Sequence, residues 1–265
     1  MYEEVQVLTH SSIRIAGNQI IYFDPFHVEE ETHDADIICV THEHFDHYSP
    51  EDLAKVKNAA TILVCPKSMK DSLSNSGISE EFTELVAPGD ELEINGVRIQ
   101  AVPAYNIDKQ FHPQQNQWVG YLVTMNEVTY YIAGDTDINE DVKKIQCDVA
   151  MIPVGGTYTM TAEEAAELAE MIHPKAAVPT HYGSVAGKAE DGQIFADIRK
   201  RQNQCHLKNV IDIRDLQILV DLKRNWKAYL FVYRQFRFFI SQKEDRNVSA
   251  GREKRGKPNI AGEYT

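Results

Sequence analysis

The sequence contains no C-x-x-C pair: its four cysteines, Cys39, Cys65, Cys147 and Cys205, lie far apart along 265 residues. A small disulfide scaffold and a thiolate zinc knuckle are therefore excluded, and reduced, partly buried thiols are expected. Also missing is any apolar run approaching the roughly 20 residues needed to span a bilayer. The opening MYEEVQVLTH carries acids where a secretory leader would carry basic residues, so a cytoplasmic protein is expected. Glycine and proline are sparse, at 14 and 10, which removes collagen-like and low-complexity chains from consideration. What remains is a chain with 43% hydrophobic and 25% charged residues, an ordinary globular composition with ample length for a buried core.

Basic residues are scarce in one part of the chain only. Residues 1–199 hold 12 Lys and Arg against 33 Asp and Glu, a balance of −21, whereas residues 200–265 hold 15 against 7, a balance of +8; together these give the net −13. So acidic a body repels polyanions, and nucleic acid is not its default partner.

Short apolar runs mark strand candidates at 5–8, 20–23, 36–40, 60–64, 97–102, 119–125 and 128–133. Ser49 followed by Pro50, Glu51 and Asp52 starts one helix. In TAEEAAELAEMIHP, Thr161 and Glu164 form a capping box and Pro174 a stop. Strands first, then strands mixed with helices, predict layered sheets with helices outside. No internal repeat is visible.

The chemistry is concentrated in Thr41-His42-Glu43-His44-Phe45-Asp46-His47, between the strand ending at Val40 and the Ser49-capped helix. On an extended segment His42 and His44 project from one face, and the turn that follows can swing Asp46 and His47 toward a neighbouring point. Two adjacent cation sites become possible. Imidazole nitrogen with carboxylate oxygen suits zinc, and also manganese or ferrous iron when more oxygens join.

This H-x-H-x-D-H pattern resembles the signature of the metallo-β-lactamase superfamily, and the resemblance covers most of residues 1 to about 207. It implies an α+β fold, a four-layer αββα sandwich with the metals at one edge of its two sheets. Ala133-Gly134-Asp135-Thr136 resembles the family's bridging-Asp motif, and Pro179-Thr180-His181-Tyr182-Gly183 its final-His motif. The implied metal ligands are His42, His44, Asp46, His47, Asp135 and His181, holding one or two zinc or manganese ions. One position departs from the pattern: where the family has a further His after a strand, Val102-Pro103-Ala104-Tyr105-Asn106 offers Asn106, a poor zinc ligand. Either His112, the only histidine in that interval, loops back to supply the bond, or the first site is weakened; of the two, Asn106 is expected in the ligand position, with His112 lining the pocket.

Further likenesses point to the branch of ascorbate-6-phosphate lactonase-like and N-acylphosphatidylethanolamine phospholipase D-like proteins. His10, in Leu8-Thr9-His10-Ser11-Ser12, takes a pocket role in that reading, and Asp24 of Asp24-Pro25-Phe26 accepts a hydrogen bond from a ligand imidazole. The loop Val154-Gly155-Gly156-Thr157-Tyr158, before the capped helix, is expected to offer amides, Thr157 and Tyr158 to an anionic group of the substrate. Tyr182 is placed beside the leaving group. His27, His33, His173 and His206 have no motif support.

The resemblance implies a metal-dependent hydrolase in which a metal-bound hydroxide attacks a phosphoester or lactone, with Asp46 orienting the water and either His181 or Tyr182 stabilising the leaving group. Flavodiiron-type relatives carry a carboxylate where His44 stands, which favours hydrolysis over redox chemistry. The expected partner is a small, anionic substrate, with a homo-oligomer left open. The alternative is a non-catalytic or weakly metallated binding protein, in which Asn106 marks lost chemistry. Its basic tail would touch nucleic acid or membrane. Residues 208–240, rich in aromatic and basic side chains, form an extension outside the resemblance, with a closing strand pair near 211–220 ahead of its most basic part, and 241–265 read as a disordered tail.

Overall fold

The computed structural model describes residues 4–206, and the expectations for 207–265 lie outside them. Two six-stranded sheets carry the fold. The first has the order β1 (Glu4–Thr9), β2 (Ser12–Ala16), β3 (Ile20–Phe23), β4 (Ala35–Cys39), β5 (Lys57–Pro66), β6 (Thr83–Val86). The second runs β12 (Ala176–Thr180), β11 (Val149–Pro153), β10 (Val128–Ile132), β9 (Val119–Met125), β8 (Val97–Pro103), β7 (Glu91–Ile94). Within the first sheet β3 to β6 are parallel, and β1 and β2 pair antiparallel. In the second β10, β11 and β12 are parallel and the rest antiparallel.

Alternation along each strand separates two interfaces. In β3 and β4, Tyr22 and Ile38 face outward, with Val40 just beyond β4, to meet Leu53 and Val56 of α1 (Pro50–Val56). Phe23 turns inward to Tyr121 of β9, ring centroids 6.4 Å apart. The Tyr121 hydroxyl crosses the sandwich and donates to the carbonyls of Val40 (2.7 Å) and Val64 (3.3 Å). On the far side α2 (Ala162–Ile172) lays Ala165, Ala166, Leu168 and Ala169 against β10 and β11, joined by Phe195 of α3 (Asp191–His206). This is the expected αββα sandwich. Both predicted helix starts are present: Ser49 accepts from the Asp52 amide, and Thr161 and Glu164 complete their capping box.

Strands β2, β6, β7, β11 and β12 are not among the strand candidates read from the sequence, nor is helix α3 among its helices. Pro179 lies within β12, which is tolerated because β12 is an edge strand. Among the described residues no helix is long and apolar enough to cross a membrane.

Candidate metal centre

Each residue of the centre follows the carboxyl end of a strand. His10 follows β1, Asp24 follows β3, and the 41–47 segment follows β4; Asn106 and His112 lie after β8, Asp135 after β10 and His181 after β12. The pairing makes β1, β3 and β4 run one way in their sheet and β8, β10 and β12 one way in theirs. The carboxyl ends of these strands therefore meet at one edge. To turn from strand into site, His10, Asp24 and His181 adopt left-handed backbones, with φ of 51°, 43° and 58°. Such conformations cost on the order of 1 kcal/mol each and persist only where the surroundings enforce them. One such constraint is the His181 amide, which donates to the His10 carbonyl at 3.0 Å and ties the two strand ends together. Gly155 supplies another: a Cβ there would stand 2.3 Å from the His181 carbonyl oxygen, so only glycine fits against this turn.

The turn at 44–47, closed by the His47 amide on the His44 carbonyl at 2.9 Å, aims His42 and His44 one way and Asp46 and His47 another. Donor atoms of His42, His44 and His112 lie within 4.8 Å of one another, as do those of His10, Asp46, His47 and His181, and those of His42, His47 and Asp135. Asp135 stands between the groups: Oδ1 is 3.3 Å from His47 Nε2, and Oδ2 is 3.1 Å from His112 Nε2 and 3.0 Å from His181 Nε2.

Several of these close approaches are not hydrogen bonds. His47 Nε2, His112 Nε2, His181 Nε2 and Asp135 Oδ1 are buried without an aligned partner. Orphaned buried polar atoms are costly, and so many at one point call for a shared occupant. Two donors on one tetrahedral zinc with ~2.1 Å bonds stand roughly 3.4 Å apart; the Asp135 separations fall just below that figure, and those from Asp46 Oδ2 to His181 Nε2 (3.7 Å) and His47 Nε2 (3.8 Å) just above it. The donor set, its burial and its spacing fit divalent cations.

The opposite ring nitrogens are already held. Asp24, fully buried, accepts from the Thr41 amide (2.7 Å) and hydroxyl (2.7 Å), and its Oδ2 lies 2.7 Å from His47 Nδ1. That contact assigns a proton to Nδ1 and turns Nε2 toward the centre. His10 Nε2 meets Asp46 Oδ2 at 3.1 Å. Asn106 has a different place from the one expected. Its Oδ1 accepts from the His112 amide and faces His112 Nδ1, both at 3.0 Å, while its Nδ2 donates to the Tyr158 carbonyl at 3.0 Å. With both ends of the amide engaged, Asn106 positions His112, and His112 Nε2 joins the His42 and His44 group.

Two other expectations are corrected. Tyr182 packs in the α2–α3 layer, close enough to Gly192 that an added Cβ would lie 2.5 Å from its hydroxyl. The Gly155–Thr157 loop lines a cavity of about 300 Å³ whose wall includes Glu163 and Asp191, and the helix start beside it is occupied by its own capping box; an anion is disfavoured there. Tyr158 contributes its carbonyl to Asn106 and its ring to Phe111, at 4.7 Å. His27, His33 and His173 are exposed. Sequence reasoning missed Trp118, whose ring lies 4.9 Å from His42, 4.8 Å from His44 and 5.6 Å from His112, and whose buried indole N–H has no partner. A lone tryptophan just before β9 carries no pattern that would single it out.

The electrostatics are those of a site awaiting positive charge. Burial opposes ionisation of Asp135, but the imidazoles of His181 and His47 outweigh it and hold its carboxyl well below the usual range. Asp46 is depressed too, its burial offset mainly by His10 and His47. Burial and then the neighbouring His47 push His42 well down, so its lone pair is free at neutral pH. His47 goes the other way: despite burial, Asp135, Asp24 and Asp46 raise it to about 9.

Residues 4–181 match the β-lactamase superfamily domain. The chain belongs to the metallo-β-lactamase superfamily. Within that superfamily it is 33% identical over 209 residues to a UPF0173 metal-dependent hydrolase of Pyrococcus horikoshii, covering 72% of this chain and 90% of that protein. A crystal structure of a candidate metal-dependent hydrolase from Parabacteroides distasonis is 30% identical, with TM-score 0.64 over 78% of this chain and 90% of that one. Igni18, a metallo hydrolase from Ignicoccus hospitalis, shares the superfamily fold at 20% identity, with TM-score 0.61 over 78% of this chain and 93% of that chain.

Proposed function

We propose that the protein is a binuclear metal-dependent hydrolase acting on a lactone or phosphoester. In this reading His42, His44 and His112 hold one cation, Asp46, His47 and His181 the other, and Asp135 faces both, with zinc or manganese as the ions. The observation that carries it is the set of buried, unpartnered nitrogens and carboxylate oxygen converging at one strand edge. The cations would lower the pKa of a coordinated water and polarise the carbonyl or phosphoryl oxygen. The protein's own groups do the rest. Asp24 holds Nδ1 of His47 and Asn106 that of His112, so that each ring keeps its orientation with Nε2 turned to the centre. Asp46, kept ionised and steadied by His10, is placed to orient the attacking water. His181 Nε2, 3.0 Å from Asp135, is among the nitrogens that would hold the second cation.

Against the binding-protein alternative, in which Asn106 marks lost chemistry, stands His112, whose ring nitrogen groups with those of His42 and His44. The test is to strip the full-length protein with chelator and reload it with zinc or manganese. Two equivalents bound, with hydrolysis of lactones or phosphodiesters that disappears in His42→Ala, supports the reading. A protein that retains no metal contradicts it.

A further inference from the structure

The side chains immediately flanking the cluster in sequence include no cation: beside His42, His44, Asp46, Asn106 and His112 stand Glu43, Phe45, Ile107 and Phe111. The nearest lysine in that stretch, Lys109, is already bound to Asp137 at 2.5 Å. Phe45, Ile107 and Phe111 are 68%, 56% and 47% exposed, unusual for three large apolar side chains one residue away from a buried polar cluster. Single exposed apolar residues need no explanation, but a group at the rim of a site marks a contact surface. His44 is the half-buried member of its trio, and its ring lies 5.0 Å from that of His112, so the segments that carry Phe45 and Phe111 meet beside it. Phe45 and Phe111 are each braced, by Phe26 at 6.1 Å and Tyr158 at 4.7 Å, both edge to face. Resting on the hydrolase reading above, we propose that the substrate is an uncharged carboxylic ester or lactone with an apolar arm lying across Phe45, Ile107 and Phe111.

Charge points the same way. Residues 1–199 carry 33 acids against 12 bases, and the loop cavity beside α2 is lined by Glu163 and Asp191, so an anionic arm would find repulsion outside the metals. An apolar arm loses water at the rim and meets no unpaired charge. In the reaction the water oxygen bonds to the carbonyl carbon and the bond to the ester oxygen breaks. That oxygen takes up one proton of the water and the other passes to solvent, giving an alcohol and a carboxylate without any co-reactant.

The experiment is calorimetric binding of straight-chain alkyl hydroxamates, from acetyl to octanoyl, to the zinc- or manganese-loaded full-length protein. Acetohydroxamate binding reports on the metals, and its absence removes the hydrolase reading and this proposal with it. The slope with chain length reports on the rim alone. Affinity is expected to rise about two- to fourfold per methylene over the first few carbons. The slope should flatten in a Phe45→Ser, Phe111→Ser double variant whose acetohydroxamate affinity is unchanged. The same order is expected in kcat/KM for p-nitrophenyl acetate through hexanoate. A flat slope, a slope untouched by the double variant, or tighter binding of the ω-carboxylated hydroxamates would overturn the proposal while leaving the metal centre intact.

Discussion

Asn106 shows how one side chain decides a centre it does not complete. By holding both the amide and the Nδ1 of His112, it fixes the ring orientation of a loop histidine that no strand end positions directly. Asn106→Ala is expected to lower affinity for the ion at the His42, His44 and His112 group by about 10- to 100-fold, the usual effect of losing a group that orients a ligand. The ion at the other group should be unaffected, and competition with a chromophoric chelator reads the two sites separately. Equal weakening of both would contradict the assignment. From sequence the amide and the imidazole were both visible, but not their roles. The choice depended on whether the segment 107–111 folds back, and only the Asn106 amide on the His112 carbonyl, at 2.8 Å, shows that it does.

At the scale of elements, α1 does more than cover the first sheet. Asp52, in its first turn, accepts from the amides of His27 (2.9 Å) and Val28 (3.0 Å), the Ser49 hydroxyl (2.8 Å) and Lys55 (2.8 Å). It thereby fastens the segment after Asp24 to the helix after His47. Burial raises its pKa, but the Lys55 contact, Ser49 and the two amides outweigh this and leave it lowered. Because the folded value lies below the unfolded one, the stabilisation is present above the ordinary carboxylate range and is lost as pH falls through the depressed value. Asp52→Asn should cost on the order of 2 kcal/mol at neutral pH. In denaturant titrations the gap between wild type and variant should close below roughly pH 4. A gap independent of pH would mean that the charge is not what fastens the loop. The Ser49 and Thr161 starts were legible because capping is local chemistry. Helix α3 was not, since DGQIFADIRKRQNQCH lacks a clear apolar stripe. Strand β12 was hidden by Pro179, which only an edge position tolerates.

For the whole molecule, the sandwich brings strand ends from two sheets to one edge and leaves the polar atoms there without partners. That arrangement binds the native state to its ions. Each ion held at a thousandfold above its Kd adds about 4 kcal/mol, or on the order of 10 °C in Tm for a domain of this size. Thermal melts with chelator should therefore fall well below melts with added zinc or manganese, and an unchanged Tm would mean that the centre does not draw on folding energy. The sandwich was legible because the motif 41–47 and the strands around it carry strong local signals. The rim of Phe45, Ile107 and Phe111 and the indole of Trp118 were not, because their meaning lies in which loops face each other.

The most direct test of the centre is anomalous diffraction from crystals loaded with zinc or manganese. Two peaks are predicted, one within bonding reach of His42, His44 and His112 and the other of Asp46, His47 and His181, with Asp135 between them. A peak bonded to the Asn106 amide oxygen with His112 turned away, or no peak at this edge of the sandwich, would contradict the account.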